Sequence, residues 1–291
     1  MLKTKLNSIN MNIQLPSVDM WLPFNGEVTH IAKCARVCYA SETGNDEKLV
    51  SNLIKRKHLS MFRHIGVYYI IPKGVEVILP SKIGSYVDIR HFETETIIAT
   101  NRQVSMEYMS KYEKYEIPYT VAISDDRFVK NGLIRVTICI KTGIDITREY
   151  NRKSPNAISE QSTRYVDFIK KIGIVFKHCY WMNGLNLYKY CLVRFMCKLD
   201  EWMYKFSRSK YGLNLKPQDA RWCLFLDTMS KAVYTYSLKD WEYILNLRLY
   251  DYTGKAHPDA KIVAQEIERV LSVFDYPIRN FKFIKDETIT I

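Results

Sequence analysis

Between residues 148 and 164 the chain places Arg148, Arg152, Lys153 and Arg164 around the hydroxyls of Ser154, Ser159, Ser162 and Thr163. Guanidinium forks and hydroxyl donors gathered in a loop are a natural grip for a phosphate group. Glu160 stands inside this cationic run and can orient an arginine or accept a hydrogen bond from a ribose hydroxyl or a base. A solvated surface loop is the plain alternative, and composition alone leaves both open. Other chemistries lack their residues: there is no G-x-G-x-x-G after a strand, no G-x-x-x-x-G-K-[ST], no G-x-S-x-G and no H-E-x-x-H. The seven cysteines, Cys34, Cys38, Cys139, Cys179, Cys191, Cys197 and Cys223, contain no C-x-x-C pair, which points to buried free thiols and away from zinc.

The elements that must hold these groups can be read from periodicity. Residues 27–39 and 46–57 carry apolar positions at helical spacing, and Val67 to Ile71 form a β-rich run closed by Pro72 and Gly74. Residues 133–140 alternate Arg135, Thr137 and Cys139 with Val136, Ile138 and Ile140, a strand with two unlike faces. Gly143 opens a short helix that cannot run past Ser154, because Pro155 disfavours the α conformation before it. The chain therefore turns out where Arg152, Lys153 and Ser154 sit, and SPNAISEQSTRY follows without periodicity. Tyr188, Leu192, Phe195, Leu199, Trp202 and Phe206 recur every three or four positions, predicting a long core helix with a basic solvated face. Pro217 suits a helix start, and two further helices follow around Leu238–Leu245 and Val263–Phe274. A helix is also expected from about Asn101. These elements make a single α+β domain the economical architecture.

The 291 residues carry 43 Lys and Arg against 31 Asp and Glu, a formal charge of +12 that draws polyanions of every kind. With 47% apolar residues, 13% aromatics, 11 Gly and 9 Pro, the chain has a core to bury and no low-complexity linker. No apolar run is long enough for a bilayer span, and MLKTKLNSINMNIQLP lacks the unbroken apolar stretch of a signal peptide, so a cytoplasmic protein with no membrane partner is expected.

Residues 142–168, TGIDITREYNRKSPNAISEQSTRYVDF, resemble the signature region of the flavin-dependent thymidylate synthases, the ThyX family. There a G-[IV]-x(6–8)-RHR stretch is followed by a serine eight residues after its last member. Arg152-Lys153-Ser154 takes the RHR place, and Ser162 falls at that spacing. Four further landmarks follow the family's order: ARVCY (35–39), HLSMFRH (58–64), PQDAR (217–221) and LNLRLYDYTGKAHPDAKIVAQEI (245–267). The resemblance divides the chain into a tail at 1–26, a catalytic domain at 27–275 with an insertion at about 73–132, and a C-terminal extension at 276–291.

The resemblance implies an antiparallel sheet packed with helices, a homotetramer, and transfer of a one-carbon unit from methylenetetrahydrofolate to carbon 5 of the uracil of dUMP. FAD reduced by NADPH supplies the final hydride, and no cysteine nucleophile is required. Carried over by position, Glu149, Arg152, Glu160, Gln161, Ser162, Arg164 and Arg221 are implied dUMP contacts. Arg248 is the implied catalytic cation beside the ionised uracil. The implied FAD contacts are Cys38, His58, Ser60, Arg152, Lys153, Ser154, Glu160, Ser237, Lys239, Tyr243 and Leu247. Several of these depart from the family pattern: Lys153 replaces a histidine, Ser154 an arginine, Arg63 a glutamate, and Ser237 and Tyr243 asparagines, while Lys239 replaces an arginine. The nucleotide side is kept and the flavin side is altered. Thymidylate synthesis leads the readings this leaves open. Modification of another pyrimidine nucleotide, dCMP or UMP, or nucleotide binding with weakened flavin affinity stands as the alternative. Nucleic-acid binding is the least supported, since no RNP, helix-turn-helix or zinc-finger pattern is present.

Overall fold

The computed structural model describes residues 13–151, 153, 157–171 and 173–279. Its centre is an antiparallel sheet in the order β2-β7-β10-β8, formed by Ser17–Trp21 (β2), Arg135–Gly143 (β7), Met229–Ser237 (β10) and Ile158–Glu160 (β8). A second antiparallel sheet runs β4-β5-β3-β6, from Asp88–His91 (β4), Glu95–Asn101 (β5), Gly66–Pro72 (β3) and Glu116–Ile117 (β6). Ile13–Gln14 (β1) and Phe176–Lys177 (β9) make a short parallel pair. Ser17–Trp21, inside the segment read as a tail, is therefore an edge strand of the central sheet.

Because side chains alternate across a strand, β7 and β10 present two different faces. Val136, Ile138, Ile140, Ala232, Tyr234 and Tyr236 enter the main apolar core. That core is closed by Ile144–Tyr150 (α6), Leu238–Arg248 (α10) and Pro258–Leu271 (α11). Thr137 and Thr235 face the other way, toward Glu27–Val37 (α1), whose neighbour is Asp46–Lys55 (α2). The segment 73–132 supplies most of the second sheet with Arg102–Tyr108 (α3), Tyr119–Ala122 (α4) and Asp126–Val129 (α5). Asn101 caps α3 by accepting from the Val104 amide. Arg102 clamps this segment to α1, binding Glu27 on one side and Glu116, at 2.6 Å, on the other.

Two expectations change. SPNAISEQSTRY is not wholly irregular: Ile158–Glu160 pairs with β10, placing Glu160 opposite Ala232. The long helix forms as Leu187–Arg208 (α8), but its apolar stripe faces outward, with Tyr188, Phe195 and Trp202 all more than half exposed. Its inward residues are Asp200, Tyr204 and Ser207, against a small core that includes Phe168 and Ala220. Periodicity identifies an apolar face but not what covers it. Burial pushes the Asp200 carboxyl up to about 7. Phe168–Lys171 (α7) and Pro217–Ala220 (α9) are single turns flanking this region.

One buried ion cluster joins the C-terminal elements to the central sheet. Lys177 of β9 is fully buried and lies 2.6 Å from Asp145 of α6, 2.9 Å from Asp259 of α11 and 3.3 Å from Asp227, just before β10. Burial draws its pKa down, but the bonds and charges of Asp145 and Asp259 outweigh this and hold it above the ordinary lysine value. Lys177→Met strands three carboxylates and should cost about 3–5 kcal/mol, read as a fall in the urea unfolding midpoint; an unchanged midpoint refutes the role.

Candidate functional site

The loop after β8 is tied at both ends. The Gln161 amide donates to Lys231 O at 2.8 Å, and the Ser162 amide donates to Cys38 O at 3.1 Å. Ser162 Oγ then accepts from the amides of Arg164 (3.1 Å) and Tyr165 (3.3 Å), folding a tight turn that projects Arg164 into solvent. Pro217 starts α9 opposite this turn. Arg221 Nη1 donates to Thr163 Oγ1 at 3.2 Å, and Arg164 Nε donates to Gln218 Oε1 at 3.4 Å. Ser162, Thr163, Arg164 and Arg221 thus converge although α9 lies more than fifty residues along the chain. Neither arginine carries an ion pair among the described residues; each donates to a neutral oxygen, and the Arg164 guanidinium also lies 5.2 Å over the Tyr165 ring. Two open guanidinium groups beside two hydroxyls are the donor set a phosphate dianion needs.

A second cluster lies on the α6 side of the sheet. Thr147 Oγ1 donates to Glu160 Oε1 at 2.7 Å, fixing that carboxylate against α6. One half-turn on, Glu149 receives Arg248: the arginine Nε donates to Glu149 O at 3.0 Å, and its Nη2 lies 3.2 Å from Glu149 Oε2. With its side chain only 11% exposed, the Arg248 guanidinium is held in one plane at the end of α10.

The flavin-side residues gather less completely. Lys153, Ser237, Lys239 and Tyr243 meet around the first turns of α10: Lys153 Nζ lies 5.1 Å above the Tyr243 ring and 3.1 Å from Asp240. Lys239 contacts Asp88, and Ser237 Oγ donates to Asp240 Oδ2 at 2.8 Å. Leu247 is half-buried on the same helix. His58 and Ser60 are exposed on the 3-10 turn before β3 and have no bond to this group. Cys38 lies on the nucleotide side, beside Ser162, where burial pushes its thiol up. Arg152 and Ser154 fall outside the described residues. In kind, two lysine ammonium groups reaching the first turns of a helix suit a dinucleotide's diphosphate. Both ammonium groups are nevertheless engaged by carboxylates.

Beneath the signature loop runs a polar chain that motif reading missed. His30 Nε2 and Thr137 Oγ1 are 3.0 Å apart, Thr137 and Thr235 hydroxyls 2.7 Å, Thr235 Oγ1 and His64 Nδ1 2.7 Å, and His64 Nε2 and Ser159 Oγ 3.0 Å. Neutral imidazoles, each with one donor and one acceptor, satisfy every member. The signal was the last histidine of HLSMFRH together with one threonine on each paired strand. Burial pushes the Cys139 thiol up to about 11 and the Cys179 thiol up to about 12, which makes both poor nucleophiles.

The class of protein is set by an antiparallel α+β core carrying a loop on which two arginines and two hydroxyls converge. The family model described as thymidylate synthase complementing protein matches residues 23–274, so the chain belongs to that family of methyltransferases. Among solved structures it is similar to a UMP/dUMP methylase PolB from Streptomyces cacaoi bound with 5-Br dUMP. That likeness is 14% identical with a TM-score of 0.44, over 93% of this chain and 96% of the other. The same methylase bound with 5-Br UMP is 13% identical with a TM-score of 0.44, over 94% and 96%. No curated protein matches in sequence. Among the described residues no helix is long and apolar enough to cross a membrane.

The histidine chain fixes a pH dependence. Burial, with smaller contributions from nearby cations, lowers His30 to about 4 and His64 to about 3, below the ordinary 6.5. As pH falls through 6.5 the unfolded chain takes up protons that the folded chain refuses, so the stability present above 6.5 is lost toward pH 4. His64→Gln should be less stable at pH 7.5 yet lose less on acidification, as read from urea midpoints at pH 7.5 and 5; parallel losses in both proteins contradict this.

Proposed function

We propose that this chain methylates carbon 5 of the uracil of dUMP, with methylenetetrahydrofolate as one-carbon donor, FAD as cofactor and NADPH as reductant. The observation that carries the reading is the pair of unpaired arginines, Arg164 and Arg221, closing on Ser162 and Thr163. A mononucleotide phosphate there would take charge-assisted hydrogen bonds from both forks without displacing any carboxylate. Its base would extend toward the Glu160 and Arg248 side of the loop.

Arg248 then acts as a fixed cation. Negative charge builds on the uracil as carbon 5 becomes nucleophilic, and a guanidinium already oriented by Glu149 stabilises that charge without reorganising. Glu160, held by Thr147, is placed to accept a hydrogen bond from the nucleotide. When bound, a reduced flavin would supply the hydride that completes the methyl group. On the protein side, Lys153, Lys239 and Ser237 are the groups that would hold the flavin's diphosphate.

The same reading makes the chain a cytoplasmic homotetramer. The outward stripe of α8 supports assembly with further copies, since Trp202 and Phe206 stack at 5.6 Å on an uncovered face beside Phe195 and Tyr188.

Arg164→Ala and Arg221→Ala should each weaken dUMP binding about 10- to 100-fold, measured by calorimetry. Arg248→Gln should lower kcat about 100-fold or more with a smaller change in KM. Incubation with dUMP, UMP, dCMP and CMP followed by mass analysis tests the base; a product from another base and none from dUMP overturns the dUMP assignment. Phe195→Glu with Trp202→Glu should leave a folded monomer in sedimentation, and an unchanged oligomer would exclude α8 as the interface.

A further inference from the structure

We propose that Asp88 and Asp240 are built-in counter-ions of the flavin's diphosphate subsite, so that FAD enters by displacing the chain's own carboxylates. This rests on the flavin-dependent reading above. The two ammonium groups in that region are both taken. Lys153 lies 3.1 Å from Asp240, and Lys239 contacts Asp88; the four side chains are 19–34% exposed, which shields the pairs from much of the screening that weakens surface ion pairs.

Asp240 is held from a second side: at the start of α10 Ser237 Oγ donates to its Oδ2 and, as the N-cap, accepts from the Asp240 amide at 3.2 Å. Asp88 sits in β4, in register with Ala99 of β5. Lys239 is also anchored through its backbone, its amide donating to Gly132 O at 3.0 Å. The 73–132 segment therefore reaches the start of α10 at two points, one of them a carboxylate aimed at the lysine.

A diphosphate arriving here gains each lysine only by breaking an existing pair, and then stands beside the released carboxylate. Both effects oppose anion binding and leave an uncharged ring system untouched. The expected selectivity is unusual for such a site: negative charge on the flavin is penalised, and the isoalloxazine is not.

The test is a titration of the full chain and of Asp88→Asn, Asp240→Asn and the double variant with FAD and with riboflavin, followed by flavin fluorescence. Binding of dUMP serves as the check on folding. Asparagine keeps the shape and, at 240, the oxygen that accepts from Ser237. In either single variant FAD affinity should rise roughly tenfold, more in the double variant, with riboflavin affinity unchanged; FAD binding seen only in the variants supports the proposal equally. Equal FAD affinity across the set, or an equal rise for riboflavin, overturns the proposal and leaves the flavin-dependent reading standing. FAD bound by none of the four while dUMP binds overturns both. Should Asp240→Asn fail the folding check, Asp88→Asn alone decides.

Discussion

The antiparallel register of β7 and β10, which sets Gly143 against Met229 and Arg135 against Ser237, determines where each candidate group can stand. One end of the pair releases α6 and the other releases α10, so Glu149 and Arg248 approach each other only because two nine-residue strands are in exact step. The same step decides the faces. Tyr234 and Tyr236 turn toward α6, where their hydroxyls donate to Thr147 O and Tyr150 O. Thr137 and Thr235 turn toward His30 and His64. A slip of one residue would push hydroxyls into the apolar core and expose the tyrosines. It would also move β8, which among the described strands pairs only with β10, and with it Glu160 and the loop that ends in Arg164.

How much of this was legible follows from where each element gets its definition. Helices α1, α2, α6, α10 and α11 declare themselves through one-sided apolar spacing and punctuation by Gly143 and Pro258, because a helix facing a core on one side must be patterned. MSKAVYTYS, by contrast, is buried on both faces, so Ser230, Lys231 and Thr235 interrupt its apolar residues without marking a solvent side, and the strand that organises the site does not declare itself. Ile158–Glu160 is a strand only because β10 lies beside it. The order of short motifs named Ser162, Arg164 and Arg221 together, and the fold does bring them together; it also sets Arg248 on Glu149, a pairing the motifs did not state. Those motifs are local, and the spacing between them is set by the fold. What local motifs cannot carry is the state of a charge: Lys239 looks like any cation in sequence, and its partner Asp88 is 151 residues away.

The charges thereby divide into two kinds that the net +12 conceals. Lys177, Arg102 and Arg208 are consumed in holding elements together, each facing at least one carboxylate within the fold. Arg164 and Arg221 are left facing hydroxyl and amide oxygens, and an ionised group in that condition gains most from an incoming anion because nothing has to be surrendered first. Lys153 and Lys239 lie between the two. The family resemblance implies a ligand role for them, yet both are neutralised as structural cations are. Opening such a pair costs its attraction and leaves a carboxylate to be re-solvated, so a ligand must bring more than charge to bind there. An isoalloxazine brings a large flat surface. On the proposed reading, the flavin side would select its ligand by the ring first and by the phosphates second, while the nucleotide side would select by the phosphate first.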